Sequence, residues 1–161
     1  MWKFVLPILA LVGLLAVNPA HADIMGKPDV ADGNTIIIAG EAVRLYGIDA
    51  PELAQTCSDA KGKVWACGKE SMYALLRFLE NHWVTCKEGR RDRSGFRSMV
   101  CFAGPYDIGA KMVHDGWALA LDQERADYLL QQHNAMTAKR GVWRGGFMKP
   151  WEWRRAVRRQ R

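Results

Sequence analysis

After residue 22 this 161-residue chain has no apolar run long enough to cross a bilayer as a helix, which takes about 20 residues. A body with helical membrane spans is thereby excluded. There is no Cys-x-x-Cys and no paired histidine spacing, so the four cysteines and four histidines do not read as a zinc site. His82, His114 and His133 stand apart from any serine or cysteine at a recognisable nucleophile spacing, and they read as surface or packing residues. Internal repeats and low-complexity linkers are missing too. With 49% hydrophobic and 25% charged residues the composition is globular, which excludes a disordered, collagenous or coiled-coil chain.

What is present begins with Lys3, an apolar run over residues 4–17 and then Asn18-Pro19-Ala20-His21-Ala22, whose small residues at 20 and 22 read as a cleavage site. Residues 1–22 are therefore expected to be an export signal, with no stable membrane span once it is cleaved. The remaining 139 residues suit one domain, expected over residues 23–148 and followed by an Arg- and Trp-rich tail over residues 149–161. All four cysteines follow the cleavage site, which fits an oxidising compartment and a periplasmic or secreted protein. Between Cys86 and Cys101, Asp92-Arg93-Ser94-Gly95 reads as a tight turn. With Arg93-Ser94 at its tip the two cysteines are directly opposed, close enough to bridge. Closing such a loop contributes about 3 kcal/mol. Cys57 and Cys67 are then left to staple the loop over residues 58–66.

The formal net charge of +6 is unevenly spread. Residues 139–161 carry nine basic side chains and one acid, so residues 23–138 are slightly acidic. The tail has two readings: a phosphate- or anion-binding end in which Trp151 and Trp153 flank the arginines, or a solvated terminus that keeps the protein soluble.

Residues 35–48 read as two strands turning at Gly40, with Pro51 ending the second. A helix over residues 69–81 is expected to bury Met72, Leu75, Leu76 and Leu79. The cysteine hairpin follows, then a short helix capped by Asp107, a strand over residues 118–121, and a helix over residues 124–139 carrying Leu129, Leu130, His133 and Met136 up to Gly141. Trp143 and Phe147 are expected to cover the sheet. Short strands with helices between them fit an α+β fold, a small partly open barrel of the OB type.

Two carboxylate-bearing loops stand at the ends of the strand pair: Asp32-Gly33-Asn34-Thr35 before it and Asp49-Ala50-Pro51-Glu52 after it, with Arg44 between them. Carboxylates with an amide oxygen suit a hard divalent cation, and an arginine suits a phosphate. Singly, each piece is an ordinary turn or strand-edge residue. Jointly they sketch metal-assisted phosphodiester chemistry.

In this order, and over about residues 30–143, these motifs resemble the staphylococcal nuclease (thermonuclease-like) family: Asp32-Gly33-x-Thr35, then Val43-Arg44-Leu45-Tyr46-Gly47-Ile48-Asp49-Ala50-Pro51-Glu52, then Asp92-Arg93-x-Gly95, Gly116-Trp117-Ala118 and Arg140-Gly141-Val142-Trp143. The resemblance implies an OB-fold five-stranded barrel with three helices and, in active members, a calcium-dependent endonuclease cutting DNA and RNA. It implies Asp49 as a calcium carboxylate, Glu52 as the base that activates the attacking water, Arg44 as a phosphate-binding arginine, and Asp32 as an acidic residue near the metal. The cysteines resemble those of exported bacterial members.

Three positions depart from the pattern: Ser94 stands where the family has a tyrosine before the glycine, and the other two bear on the chemistry. Asn34 stands where the family has its first calcium carboxylate, and Phe96 where it has its second catalytic arginine. Asn34 still offers an oxygen to Ca²⁺ but removes a negative charge, which weakens metal binding. A lost arginine at a reacting phosphate costs about a thousandfold or more in related phosphoryl transfers. Arg97 is one residue along and faces the other side of its strand, so it could replace that cation only through a bulge at Gly95. The expectation is a monomer that binds nucleic acid or another polyanion, with Arg44, Arg93 and Arg97 as contacts and Asn34, Asp49 and Asp32 as metal neighbours. Its catalysis is impaired, and beside Phe96 no second cation serves the site. A binding module without catalysis, and an envelope interaction protein using the tail, are the alternatives.

Overall fold

The computed structural model describes residues 23–91 and 95–160. Residues 1–22, expected as an export signal, and Arg93, at the expected hairpin tip, lie outside the described residues. In chain order the strands are β1 (Ile24–Gly26), β2 (Asp29–Val30), β3 (Thr35–Ile38), β4 (Glu41–Leu45), β5 (Ile48–Asp49), β6 (Cys57–Ser58), β7 (Val64–Trp65), β8 (Val84–Arg91), β9 (Arg97–Ala103), β10 (Tyr106–Asp107) and β11 (Leu119–Ala120). The helices are α1 (Cys67–Leu79), α2 (Ile108–His114), α3 (Leu129–Thr137) and α4 (Pro150–Arg159), with short 3₁₀ turns at Ala126–Tyr128 and Gly141–Arg144.

The main sheet runs β1-β8-β9-β4-β3-β2, with β10 added on β9, while β11 pairs β5 and β6 pairs β7. Its centre joins β4 to β9 in parallel and β3 to β4 as an antiparallel pair. Alternation along these strands sorts the side chains: Ile36, Ile38, Val43, Leu45, Met99, Cys101 and Ala103 are buried together with Leu75 and Leu79 of α1 and Met112 and Val113 of α2. A second cluster under the tail joins Cys57, Cys67, Leu119 and Val142, with Trp65, Trp143, Phe147 and Trp151 packed on it. This is the mixed α+β class that the sequence predicts.

The hairpin register pairs Cys86 with Cys101, and the two form a disulfide, as do Cys57 and Cys67. Three details differ from the sequence reading. α1 starts two residues earlier and leaves Leu76 45% exposed, because only Leu75 and Leu79 line up with the sheet. The second difference is the extent of α3, Leu129–Thr137 where residues 124–139 were expected; its Leu129, Leu130, His133 and Met136 are exposed. Its contact with the body runs through buried Ala135 and through Gln132, whose Oε1 accepts the Ala120 N–H at 2.9 Å. The third is α4, which makes four helices where three were expected. No described helix is long and apolar enough to cross a membrane.

Candidate active site

The loop before β3 is organised by its own backbone. Asp32 Oδ1 accepts the Asn34 N–H at 2.9 Å, the local turn bond that Asp favours, and the Asn34 carbonyl accepts the Leu45 N–H at 2.8 Å. Gly33 is required by close approach, since a Cβ there would collide with Ser71 and Ala50. The Asn34 amide turns toward the Ile48 carbonyl, 3.5 Å from Nδ2 to O, at the outer limit of a hydrogen bond.

β4 places Arg44 opposite Thr35 on one side and Ser98 on the other. The Arg44 guanidinium carbon lies 4.9 Å from the centroid of the Phe96 ring, a cation–π contact. The residue that departs from the family pattern is thus next to the phosphate-binding candidate but brings a ring instead of a charge. Arg97 is directed elsewhere: its Nη1 lies 3.3 Å from Glu41 Oε2. The register shift in the hairpin falls on β8 between Lys87 and Arg90.

Asp49 is buried in β5, held by pairing with Leu119 of β11. Glu52 follows Pro51 in a short loop fixed at both ends: its N–H donates to Gln55 Oε1 at 3.2 Å and its carbonyl accepts the Gln55 N–H at 2.7 Å. Gln55 is fully buried, and its Nε2 donates to the Met148 carbonyl at 2.6 Å, which ties this loop to the chain entering α4. Gly68 in the first turn of α1 lies so close under the loop that a Cβ would strike the Glu52 carbonyl.

The two carboxylates meet a third group that the sequence reading did not place here. Arg154 of α4 donates from Nη1 to Asp49 Oδ1 at 3.0 Å, from Nη2 to Asp49 Oδ2 at 2.6 Å, and from Nη1 to Glu52 Oε1 at 2.6 Å. Its pKa is raised above the usual arginine value, first by the bond to Asp49 and then, against the cost of burial, by the bond to Glu52. The expectation that no second cation serves the site is therefore corrected. The cation comes neither from position 96 nor from Arg97 but from the tail. The signal was legible in principle: Pro150, Trp153, Arg154 and Val157 recur at helical spacing and, with Trp151 and Ala156, are the less exposed positions, while Arg155, Arg158 and Arg159 are exposed. Gln55 carried no such signal.

The fold brings Asp49 and Glu52 together on Arg154, sets Asn34 beside the carbonyl that precedes Asp49, and places Arg44 on β4, between β3 and β9 of the main sheet. Asp32 stays tied to its own turn. Calcium needs six to eight oxygens, several of them from carboxylates. Here both oxygens of Asp49 and one of Glu52 accept from Arg154, and the Asn34 side chain presents its amide nitrogen to Ile48. Among the described residues no three His, Cys, Asp or Glu side chains converge in a way that could hold a metal ion. This donor arrangement does not fit a resident calcium.

The fold is α+β, with Asp49 on β5 and Glu52 in the loop that follows it. Residues 42–145 match the family model described as staphylococcal nuclease homologue. The chain is 39% identical over 139 residues to the succinoglycan biosynthesis protein ExoI of Rhizobium meliloti (strain 1021), covering 83% of this chain and 73% of that protein. It is 30% identical over 132 residues to the probable staphylococcal-like nuclease CAN4 of Oryza sativa subsp. japonica, covering 79% of this chain and 24% of the rice protein. A second rice protein, the probable staphylococcal-like nuclease CAN2, is 30% identical over 122 residues, 74% of this chain and 30% of its own length. The chain spans well under half of the two rice proteins. It belongs to the staphylococcal nuclease family, whose members are in general calcium-dependent.

Proposed function

We propose that this protein is an exported, nuclease-like module that holds a phosphodiester strand at Arg44, Asp49 and Glu52 and hydrolyses it feebly. The observation that carries this reading is the Arg154 guanidinium lying on both carboxylates while Phe96 offers only a ring beside Arg44. In hydrolysis at this site Glu52 takes the proton of the attacking water and Arg44 holds the non-bridging oxygens. One oxygen of this base is already occupied by Arg154, and charge building on the phosphate meets Arg44 while the second guanidinium is held by the two carboxylates. The two disulfides support export to an oxidising compartment.

A second reading, a binding module of the cell envelope without hydrolysis, is favoured by the Rhizobium relative, which is named for succinoglycan biosynthesis. Incubating the protein with single-stranded DNA and calcium, beside a variant carrying Asn34→Asp, Phe96→Arg and Arg154→Gln, separates the two. The variant is expected to cut at least about a hundredfold faster than the wild type. Equal rates would remove the claim of impaired catalysis, and binding without cleavage by either protein would favour the second reading.

A further inference from the structure

We infer that Arg154 is the built-in cation of this site, closing the Asp49 and Glu52 pair to divalent metal for as long as α4 is docked. The inference rests on reading these two carboxylates as the family's acidic pair, and it concerns how that pair is charge-balanced.

The argument begins with what Asp49 can accept. Its side chain is only 9% exposed, so in this position it needs a partner, and both of its oxygens receive one N–H each from the guanidinium. This is the two-point fork that arginine makes with a carboxylate and that a lysine cannot reproduce. The bond from Nη1 to Glu52 then links the two acids through one charge. A calcium ion would need these same oxygens.

The delivery of Arg154 is built into the fold. Pro150 opens α4 and is buried, Trp151 packs on the cluster around Cys57, Cys67, Leu119 and Val142, and the carbonyl two residues before Pro150 accepts from buried Gln55. Gln55 itself holds the Glu52 loop. Helix docking and carboxylate positioning therefore share one buried amide. The substitution at Asn34 acts in the same direction: a site with one carboxylate fewer and one guanidinium more has lost affinity for a divalent ion twice over.

Calcium titration of the full chain by isothermal calorimetry tests this directly. Arg154→Gln keeps a long side chain but no charge, and it is expected to bind calcium at least about tenfold more tightly than the wild type. Arg154→Lys keeps the charge but loses the fork, and its calcium affinity is expected to fall between those of the wild type and Arg154→Gln. Adding Asp49→Asn to Arg154→Gln should abolish the gain, which places the metal on that carboxylate. Equal affinity in wild type and Arg154→Gln, or no binding by either, overturns the inference. The wild type provides an independent measurement should the glutamine variant fail to fold: calcium at about ten millimolar should leave its melting temperature unchanged, and a rise would mean that metal enters beside Arg154. Neither measurement reads hydrolysis, so the cleavage assay above stands or falls separately.

Discussion

The guanidinium of Arg154 and the carboxylate of Asp49 meet edge to edge through two hydrogen bonds, although the residues are 105 positions apart in the chain. The pair joins the last helix to the strand that carries the acidic loop. Of the two carboxylates, Asp49 is the one with most to lose: its side chain is nearly covered, whereas Glu52 is 36% exposed and its bond to Arg154 is largely solvent-screened.

Removing the cation leaves a covered carboxylate without its fork. Truncating one partner of a fully buried pair costs about 3–5 kcal/mol, and the 38% exposure of Arg154 lowers the expectation to about 1–2 kcal/mol for Arg154→Ala. Urea unfolding of the two proteins measures it. Asp49→Ala in the Arg154→Ala background should then cost less than in the wild type, because the coupling has already gone.

Gly68 is expected to tolerate no side chain. A methyl group at this position meets the Glu52 carbonyl, which is backbone and cannot rotate away, so Gly68→Ala must shift either α1 or the acidic loop. A loss of about 1–3 kcal/mol is expected by thermal or urea unfolding. A wild-type midpoint for this variant would show that the approach is looser than described.

Alkaline pH should weaken the fold through Tyr128. Burial, and then the hydrogen bonds from its hydroxyl to Asp107 at 2.7 and 2.8 Å, raise its pKa well above the ordinary value of 10.0. The neutral phenol is retained in the folded chain, while above pH 10.0 the unfolded chain gives up this proton. The contribution is complete below that pH and falls away as pH climbs from it toward the folded-state pKa. Unfolding free energies measured from about pH 8 to about pH 12, two units either side of a model tyrosine, should therefore decline at the upper end. Tyr128→Phe should flatten part of that decline and cost about 1 kcal/mol at neutral pH.

The outward face of α4 carries Arg155, Arg158 and Arg159, all exposed. If the strand-binding reading holds, these side chains neutralise phosphates without taking part in the acidic site. For single strands each neutralised phosphate contributes about 0.7 to the slope of log affinity against log salt. Replacing the three by glutamine should lower that slope by up to about 2. An unchanged slope would take this face out of strand binding.

How much of this was legible in advance depends on how local each signal is. Strand alternation from Ile36 to Leu45 reports which side chains are buried, because the period of two is a property of the backbone itself. The hairpin register that joins Cys86 to Cys101 follows from counting residues through one turn. At α3 the local signal stops short: apolar spacing in Leu129, Leu130 and Met136 says that a helix can form, not which side meets a neighbour, and here small Ala135 makes the close approach.

The sequence alone determined the α+β class, the family, the hairpin that opposes Cys86 to Cys101 and the identity of the acidic loop residues, since each is written along one or two neighbouring segments. Only the tertiary structure decided that Arg154 reaches Asp49 and Glu52, that Gln55 ties their loop to α4, and that Arg97 turns to Glu41. Those contacts join segments with no shared periodicity. Which cation a buried carboxylate receives is settled by the packing that carries a distant helix to it.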